Sequence, residues 1–295
     1  MDTVHTPVML SLVLNFLQIK KDHWYIDCNI GGGGHTEQIL QTGGKVLGID
    51  LDPLAINNLS QKYQQQIGLG NIILVQASFV NLKEIVSKLN IEPIYGVLFD
   101  LGLSSDQLAN PRSGFSFNLE APLDMRMDPN LKVTAADLIN GLYENELAQL
   151  FLKYGEEFYA KAIAKKIVTT RQQKKVQTTK DLVEIILSVK SRAPNDKIHP
   201  ATKVFQALRI AVNDELNNLQ RVLPQALDIL APQGRLVVLS FHSLEDRIVK
   251  NFFKEQEVLE KVKILTEKPI TPTDEEISRN PRSRSGKLRA AEKLR

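Results

Sequence analysis

The sequence predicts an α/β fold: a Rossmann-like sheet interrupted by an inserted, mainly helical domain. Three observations predict the sheet. Four short apolar runs upstream of Leu101 alternate with helical segments, the first, second and fourth of these runs end on an acid, and a glycine-rich turn follows the first. The alternation then stops over a long helical stretch and resumes near the C-terminal end, which predicts the insert.

His5-Thr6-Pro7, followed by Val8, Leu10, Val13, Leu14 and Leu17, reads as a capped entry into a short amphipathic helix with proline near its first turn. Residues 24–28 form a strand that runs into Asn29-Ile30-Gly31-Gly32-Gly33-Gly34-His35-Thr36 and then a helix. Residues 45–50 form the second strand, and Asp52-Pro53 opens the next helix with an acid cap and an early proline. A third strand over 71–76, a helix over 80–89 and a fourth strand over 94–100 complete a parallel, right-handed pattern. Helices follow over 135–139, 144–154, 160–168 and 179–189, then a long helix over 204–219, another over 223–230, and a strand over 234–241. The sheet domain is therefore expected over 1–108 and 206–295, with the helical insert over 109–205.

The 295 residues, 43% hydrophobic and 24% charged, suit a soluble globular protein. No apolar run reaches the roughly 18 residues of a membrane span, and no secretory signal pattern opens the chain, so a cytoplasmic protein is expected, or a stromal one if the chain is plastid-encoded. Cys28 stands alone, which excludes an internal disulfide and a cysteine zinc site; it reads as a small buried residue at a strand end. Net charge is only +3, but two stretches are basic: 158–176, with Lys161, Lys165, Lys166, Arg171, Lys174 and Lys175, and 279–295, with Arg279, Arg282, Arg284, Lys287, Arg289, Lys293 and Arg295.

In an open parallel sheet the glycine loop and the end of the second strand converge where a nucleotide-like ligand binds, and a carboxylate at Asp50 suits paired ribose hydroxyls. Two ligands fit this pattern, a nicotinamide dinucleotide and S-adenosylmethionine. Thr36 stands where the dinucleotide fingerprint places a third glycine or alanine after Gly31 and Gly33, which disfavours the dinucleotide. Asp100, ending the fourth strand, suits a cationic methyl donor or an amino group. The serines around His242 lack the nucleophile elbow of a serine hydrolase.

The chain resembles the RsmH (MraW) family along nearly its whole length. The resemblance rests on His5-Thr6-Pro7-Val8, Gly33-Gly34-His35, Asp100-Leu101-Gly102-Leu103-Ser104-Ser105-Asp106-Gln107-Leu108, Gly114-Phe115-Ser116-Phe117 and Pro122-Leu123-Asp124-Met125-Arg126-Met127. It continues in Tyr154-Gly155-Glu156-Glu157, Pro200-Ala201-Thr202, Phe205-Gln206-Ala207-Leu208-Arg209-Ile210, Ser240-Phe241-His242-Ser243-Leu244-Glu245-Asp246-Arg247 and Asn280-Pro281-Arg282-Ser283-Arg284-Ser285. It implies a class I methyltransferase sheet over 1–108 and 206–295 with a substrate-recognition insert over 109–205, and transfer of methyl from S-adenosylmethionine to the exocyclic N4 of one cytidine in small-subunit ribosomal RNA, near the decoding centre. The implied cofactor contacts are Gly33, Gly34, His35, Asp50, Phe79, Asp100 and Gln107, with Asp100 also the expected catalytic residue, Asp52 only a helix cap, and no metal. The implied partner is the RNA or the small subunit, with no membrane, and a homodimer is compatible. The sequence departs from the family pattern at Ser113, where arginine is common, and at Asn29, often threonine. Phe115, Phe117 and Phe241 are candidates to stack the target base, His242 to contact it at the rim, Arg209 and Asn213 to point into the cleft from one helix face, and Arg126 and Arg247 to touch phosphate or form internal pairs. The C-terminal arginines and the insert are the expected RNA-facing surface. The competing readings are a non-catalytic RNA-binding assembly factor and a methyltransferase acting on another acceptor.

Overall fold

The computed structural model describes residues 7–103, 108, 110–192 and 198–295. The chain divides into two units, one of Met1–Gly102 with Leu216–Arg295 and one of Leu103–Glu215. These bounds differ from the expected seams at 108 and 206. The second seam would have cut the helix Thr202–Asn213, whose buried Val204, Phe205, Ala207, Leu208 and Val212 all belong to the core of the second unit.

The first unit is built on a seven-stranded sheet ordered β3-β2-β1-β4-β5-β7-β6. The strands are β1 Trp24–Asp27, β2 Lys45–Asp50, β3 Ile72–Gln76, β4 Ile94–Asp100, β5 Leu230–Ser240, β6 Val262–Ile264 and β7 Lys287–Lys293. The first five pair in parallel, and β7 runs antiparallel to both β5 and β6. Their apolar residues alternate between two cores, as the two-residue period of a strand requires. Ile26, Leu47, Ile49, Val97, Phe99, Leu236 and Val238 face one core, with Cys28 buried among them as expected, while Tyr25, Val46, Leu98, Val237 and Leu239 face the other. A sheet buried on both faces reads as continuous apolar runs, which is why β2 and β4 were legible end to end.

Several elements differ from expectation. The first helix, α1, is Leu10–Leu17, with Met9 before it in the left-handed region, so Pro7 precedes the helix and does not sit in its first turn. The expected helix over 204–219 breaks at Asp214, which is left-handed at φ 52, and a second helix, Glu215–Ile229, carries on through Pro224. The strands β6 and β7 were not expected at all. Arg289, read as a surface cation, is buried in β7, where its guanidinium forks onto Asp246 at 2.6 and 3.2 Å.

The second unit is mainly helical, with the helices Ala135–Gly141, Glu144–Gly155, Ala160–Arg171, Thr179–Val189 and Thr202–Asn213 around one core. Its non-helical segment is pinned by Gly114, at φ 70, where an added Cβ would lie 2.3 Å from the Pro122 carbonyl oxygen. None of the helices among the described residues is long and apolar enough to cross a membrane.

Candidate active site at the carboxyl edge of the sheet

Chain order reverses direction between β1 and β4, and the carboxyl ends of both strands meet at that switch point, Asp27 opposite Leu98 and Asp100 beside Leu239. The turn after β1 leads through Gly33, at φ 75, into α2 (Gly34–Gln41). A Cβ on Gly33 would lie 2.8 Å from Leu59 Cδ2 as well as being strained. The Gly33 carbonyl accepts a hydrogen bond from the Tyr63 hydroxyl at 3.3 Å, and Gly34 packs against Pro7.

Asp50, at the end of β2, is tied down by two backbone groups. The Gly31 N–H donates to Oδ2 at 2.8 Å and the Asp52 N–H to Oδ1 at 2.9 Å. Burial raises its pKa, the charge of Asp52 adds to the rise, and the backbone groups of Asp52, Gly31 and Leu51 oppose it. Asp52 caps the helix Pro53–Lys62 through the Leu54 N–H, as expected.

Asp27 is a member of the site that sequence reasoning missed. Its side chain is 1% exposed; Oδ2 accepts from the Thr36 hydroxyl at 2.8 Å, while Oδ1 has no partner among the described residues, nor has the buried Asn29 Oδ1. Burial pushes its pKa up to about 6, with Thr36 and the Asn29 backbone opposing and the charge of Asp50 adding to the rise. The signal was present: Asp27 ends a strand just as Asp50 and Asp100 do, but it was read as a strand terminus only.

Asp100 is 19% exposed, and its pKa is pushed up to about 8 by burial and then by the neighbouring charges of Asp27 and Glu245. No cation among the described residues offsets this; the nearest ionisable partner is His35, whose Nδ1 lies 3.6 Å from Asp100 Oδ2. His35 Nε2 sits 3.0 Å from the Val8 carbonyl, which can only accept, so Nε2 carries a proton there. Phe79 lies in the 3-10 turn after β3, half-buried, with its ring edge-on to Phe99 at 5.7 Å. Gln107 lies outside the described residues.

The remaining candidates separate cleanly. Phe241 is half-buried with its ring against Gly102. His242 is buried and caps the helix Ser243–Val258, and Phe241 N–H donates to the Glu245 carboxylate at 2.8 Å in return, which makes His242 a structural cap. Arg209 forks onto Glu215 at 2.8 Å on both arms. Asn213 accepts from the Met127 N–H at 2.7 Å and donates to the Met125 carbonyl at 2.8 Å. Both fasten the helix end within the second unit, Arg209 to the start of the next helix and Asn213 to the loop of Met125 and Met127. Arg126 is likewise internal, bidentate on Asp124 at 2.8 and 2.9 Å, whereas Arg247 is exposed on its helix. Phe115 is buried, and Phe117 is stacked on His199 with centroids 4.7 Å apart. Of the C-terminal cations, Arg279, Arg289 and Arg295 are in ion pairs, and Lys293 donates to the carbonyls of Asp228 and Leu230.

The MraW methylase family profile matches residues 2–294. A ribosomal RNA small subunit methyltransferase H of Carboxydothermus hydrogenoformans is 44% identical over all of this chain and 99% of its own length. Proteins of the same description from Dehalococcoides mccartyi and Sulfurihydrogenibium azorense are 46% and 45% identical over 98% of this chain, covering 86% and 99% of their own lengths. Among solved structures, an rRNA methylase from Streptococcus thermophilus aligns over the whole of both chains with a TM-score of 0.47 and 13% identity.

Proposed function

The chain belongs to the MraW methylase family, and from that premise we propose that it transfers a methyl group from S-adenosylmethionine to the exocyclic N4 of a cytidine in small-subunit ribosomal RNA, near the decoding centre. The observation that carries the reading is the row of acids at one sheet edge, Asp27, Asp50 and Asp100, buried and without a neutralising cation among the described residues. Uncompensated buried carboxyl groups are costly, and a cationic ligand with several hydrogen-bond donors relieves that cost.

The residues fit this cofactor. Asp50, held at the end of β2 by backbone N–H groups, is the carboxylate for the ribose hydroxyls. Asp27 Oδ1 and Asn29 Oδ1 are orphaned acceptors for an ammonium, Gly33 and Gly34 form the turn beside them, packed on Leu59 and Pro7, and Phe79 offers a ring to adenine. The cofactor supplies an electrophilic methyl group on a cationic sulfur. What the protein must add is position, because the cytosine amino lone pair is delocalised into the ring. Asp100 accepts a hydrogen bond from that amino group, holds the nitrogen in line, and favours the positive charge that develops there. His35, anchored on the Val8 carbonyl, lies 3.6 Å from the Asp100 carboxylate. A ribosomal substrate makes the cytoplasm, or a plastid stroma, the compartment of this reading, and no step requires a second copy of the chain.

The test incubates the protein with radiolabelled S-adenosylmethionine and small subunits lacking the modification, and identifies the labelled nucleoside. Label on N4 of cytidine that Asp100→Ala fails to install is the expected result. Cofactor binding without label on any RNA would favour the assembly-factor reading instead.

A further inference from the structure

The corner between the helices Glu144–Gly155 and Ala160–Arg171 holds aromatic rings out to solvent on a fastened backbone. Glu156 is left-handed at φ 50, and its N–H donates to the Leu152 carbonyl at 3.1 Å; the Glu157 N–H donates to the Phe151 carbonyl at 3.2 Å. The Glu157 carboxylate, 1% exposed, accepts from the Tyr159 N–H at 2.9 Å and pairs with Lys190 at 3.0 Å. Lys203 and Gln206, on the helix Thr202–Asn213, donate to the Glu156 and Tyr154 carbonyls at 2.8 and 3.0 Å. On this frame Phe158 is 88% exposed and Tyr159 50% exposed. Each ring has an ammonium against it: Lys203 lies 5.0 Å from the Phe158 centroid, Lys190 5.5 Å from Tyr159 and Lys153 4.9 Å from Tyr154.

The helix that follows continues the charge. Lys161, Lys165 and Lys166 are exposed, with the first two one turn apart, and none forms an ion pair among the described residues. The acids nearby are Glu156 and Glu157, of which Glu157 is neutralised by Lys190. An exposed phenylalanine on a rigid loop contributes nothing to folding. Rings backed by cations, next to a row of unpaired lysines, complement a base with its phosphates, whereas an apolar protein surface would bury those lysines unpaired.

We propose that Phe158 and Tyr159 form a stacking site for an unpaired nucleotide of the RNA substrate, with Lys161 and Lys165 on its flanking phosphates; this deepens the ribosomal RNA reading and rests on it. The test uses the full chain, its variants Phe158→Ala, Phe158→Trp and Lys161→Glu/Lys165→Glu, a fluorescein-labelled single-stranded RNA oligonucleotide, and a duplex of equal length. Phe158→Ala should weaken single-strand binding by about 5- to 100-fold, with little effect on the duplex, and Phe158→Trp should restore it. The lysine variant should lose affinity and flatten the salt dependence by about one logarithmic unit per decade of salt. Calorimetric binding of S-adenosylmethionine, unchanged in all variants, reports an intact fold. Unchanged single-strand affinity in Phe158→Ala, with wild-type protein binding the RNA, overturns the stacking site while leaving the ribosomal reading standing. Loss of binding to a ribosomal protein or to a second copy instead would mark the corner as a protein contact and overturn it as well. If the wild type neither binds the RNA nor labels subunits, the functional reading falls and takes this proposal with it.

Discussion

The two units treat their acids in opposite ways. At the sheet edge Asp27, Asp50 and Asp100 are buried among one another, and each has its pKa raised. In the helical unit, Asp124 is held low by its fork to Arg126, Asp137 by its capping partner Thr134, and Asp181, despite some burial, by Lys174 and the Gln177 and Thr178 groups. These acids of the helical unit are compensated internally and contribute stability. The sheet edge leaves its charges uncompensated, which costs stability and awaits a cation, so an uncompensated acid marks chemistry where a compensated one marks architecture.

The largest effect should come from removing the acid with the most perturbed pKa. Asp100→Asn is expected to lower kcat by about 10²- to 10⁴-fold while the fold and most of the cofactor affinity survive, measured by single-turnover methylation beside calorimetric binding. In the wild type, the acid limb of the pH profile of kcat/KM should fall near 8, with activity rising as Asp100 loses its proton. A full-rate variant, or a profile with no limb between pH 6 and 9, would place the acceptor elsewhere.

The same comparison predicts where stability is concentrated in the helical unit. Gly114→Ala imposes a left-handed φ on a side chain whose Cβ would meet the Pro122 carbonyl at 2.3 Å, so a loss of about 3 kcal/mol is expected by urea denaturation. Its S-adenosylmethionine affinity should stay near wild type below the unfolding transition. A variant as stable as wild type would show that the loop relaxes freely.

This division explains what could be read from the sequence. The strands β1, β2 and β4, their terminal acids and the glycine turn were legible because a doubly buried parallel sheet writes continuous apolar runs. The strand β7 was not, since Lys287-Leu288-Arg289-Ala290-Ala291-Glu292-Lys293 reads as charged until Asp246, distant in sequence, buries Arg289. Arg209 and Asn213 looked functional because a one-turn spacing shows a shared face but not the Glu215, Met125 and Met127 partners that fasten it. Asp27 was passed over because its importance lies in the missing partner of one oxygen, which only the packed structure displays.

A finer test sets the two kinds of acid against each other. Asp100 has a folded pKa of about 8, above its unfolded value, so the stability it leaves intact below about pH 4 is lost progressively as pH rises through 8. Asp181, held to about 2, contributes stability above its unfolded pKa that is lost as pH falls from about 4 towards 2. Asp100→Asn should therefore raise Tm at pH 8 relative to wild type and leave it unchanged at pH 4. Asp181→Asn should lower stability at pH 7 by about 1 kcal/mol, because it removes the charge that Lys174 and the Gln177 and Thr178 N–H groups donate to. Parallel shifts in both variants would abolish the distinction drawn between the units.

The smallest effect concerns the aromatic rings, where the same contrast recurs. Phe117 in the helical unit is stacked on His199 and edge-on to Phe205, whereas Phe79, at the rim of its core, has one ring contact among the described residues, edge-on to Phe99. A ring so placed keeps a face for another ring system, and Phe79→Leu removes that face while preserving the apolar volume that the core needs. The cofactor Kd should then rise by about 3- to 10-fold, the worth of one aromatic contact beyond its area, with kcat nearly unchanged because the reacting atoms lie at Asp100. An equal fall in kcat would mean that Phe79 positions the reacting methyl, and an unchanged Kd would return its ring to the core as packing alone.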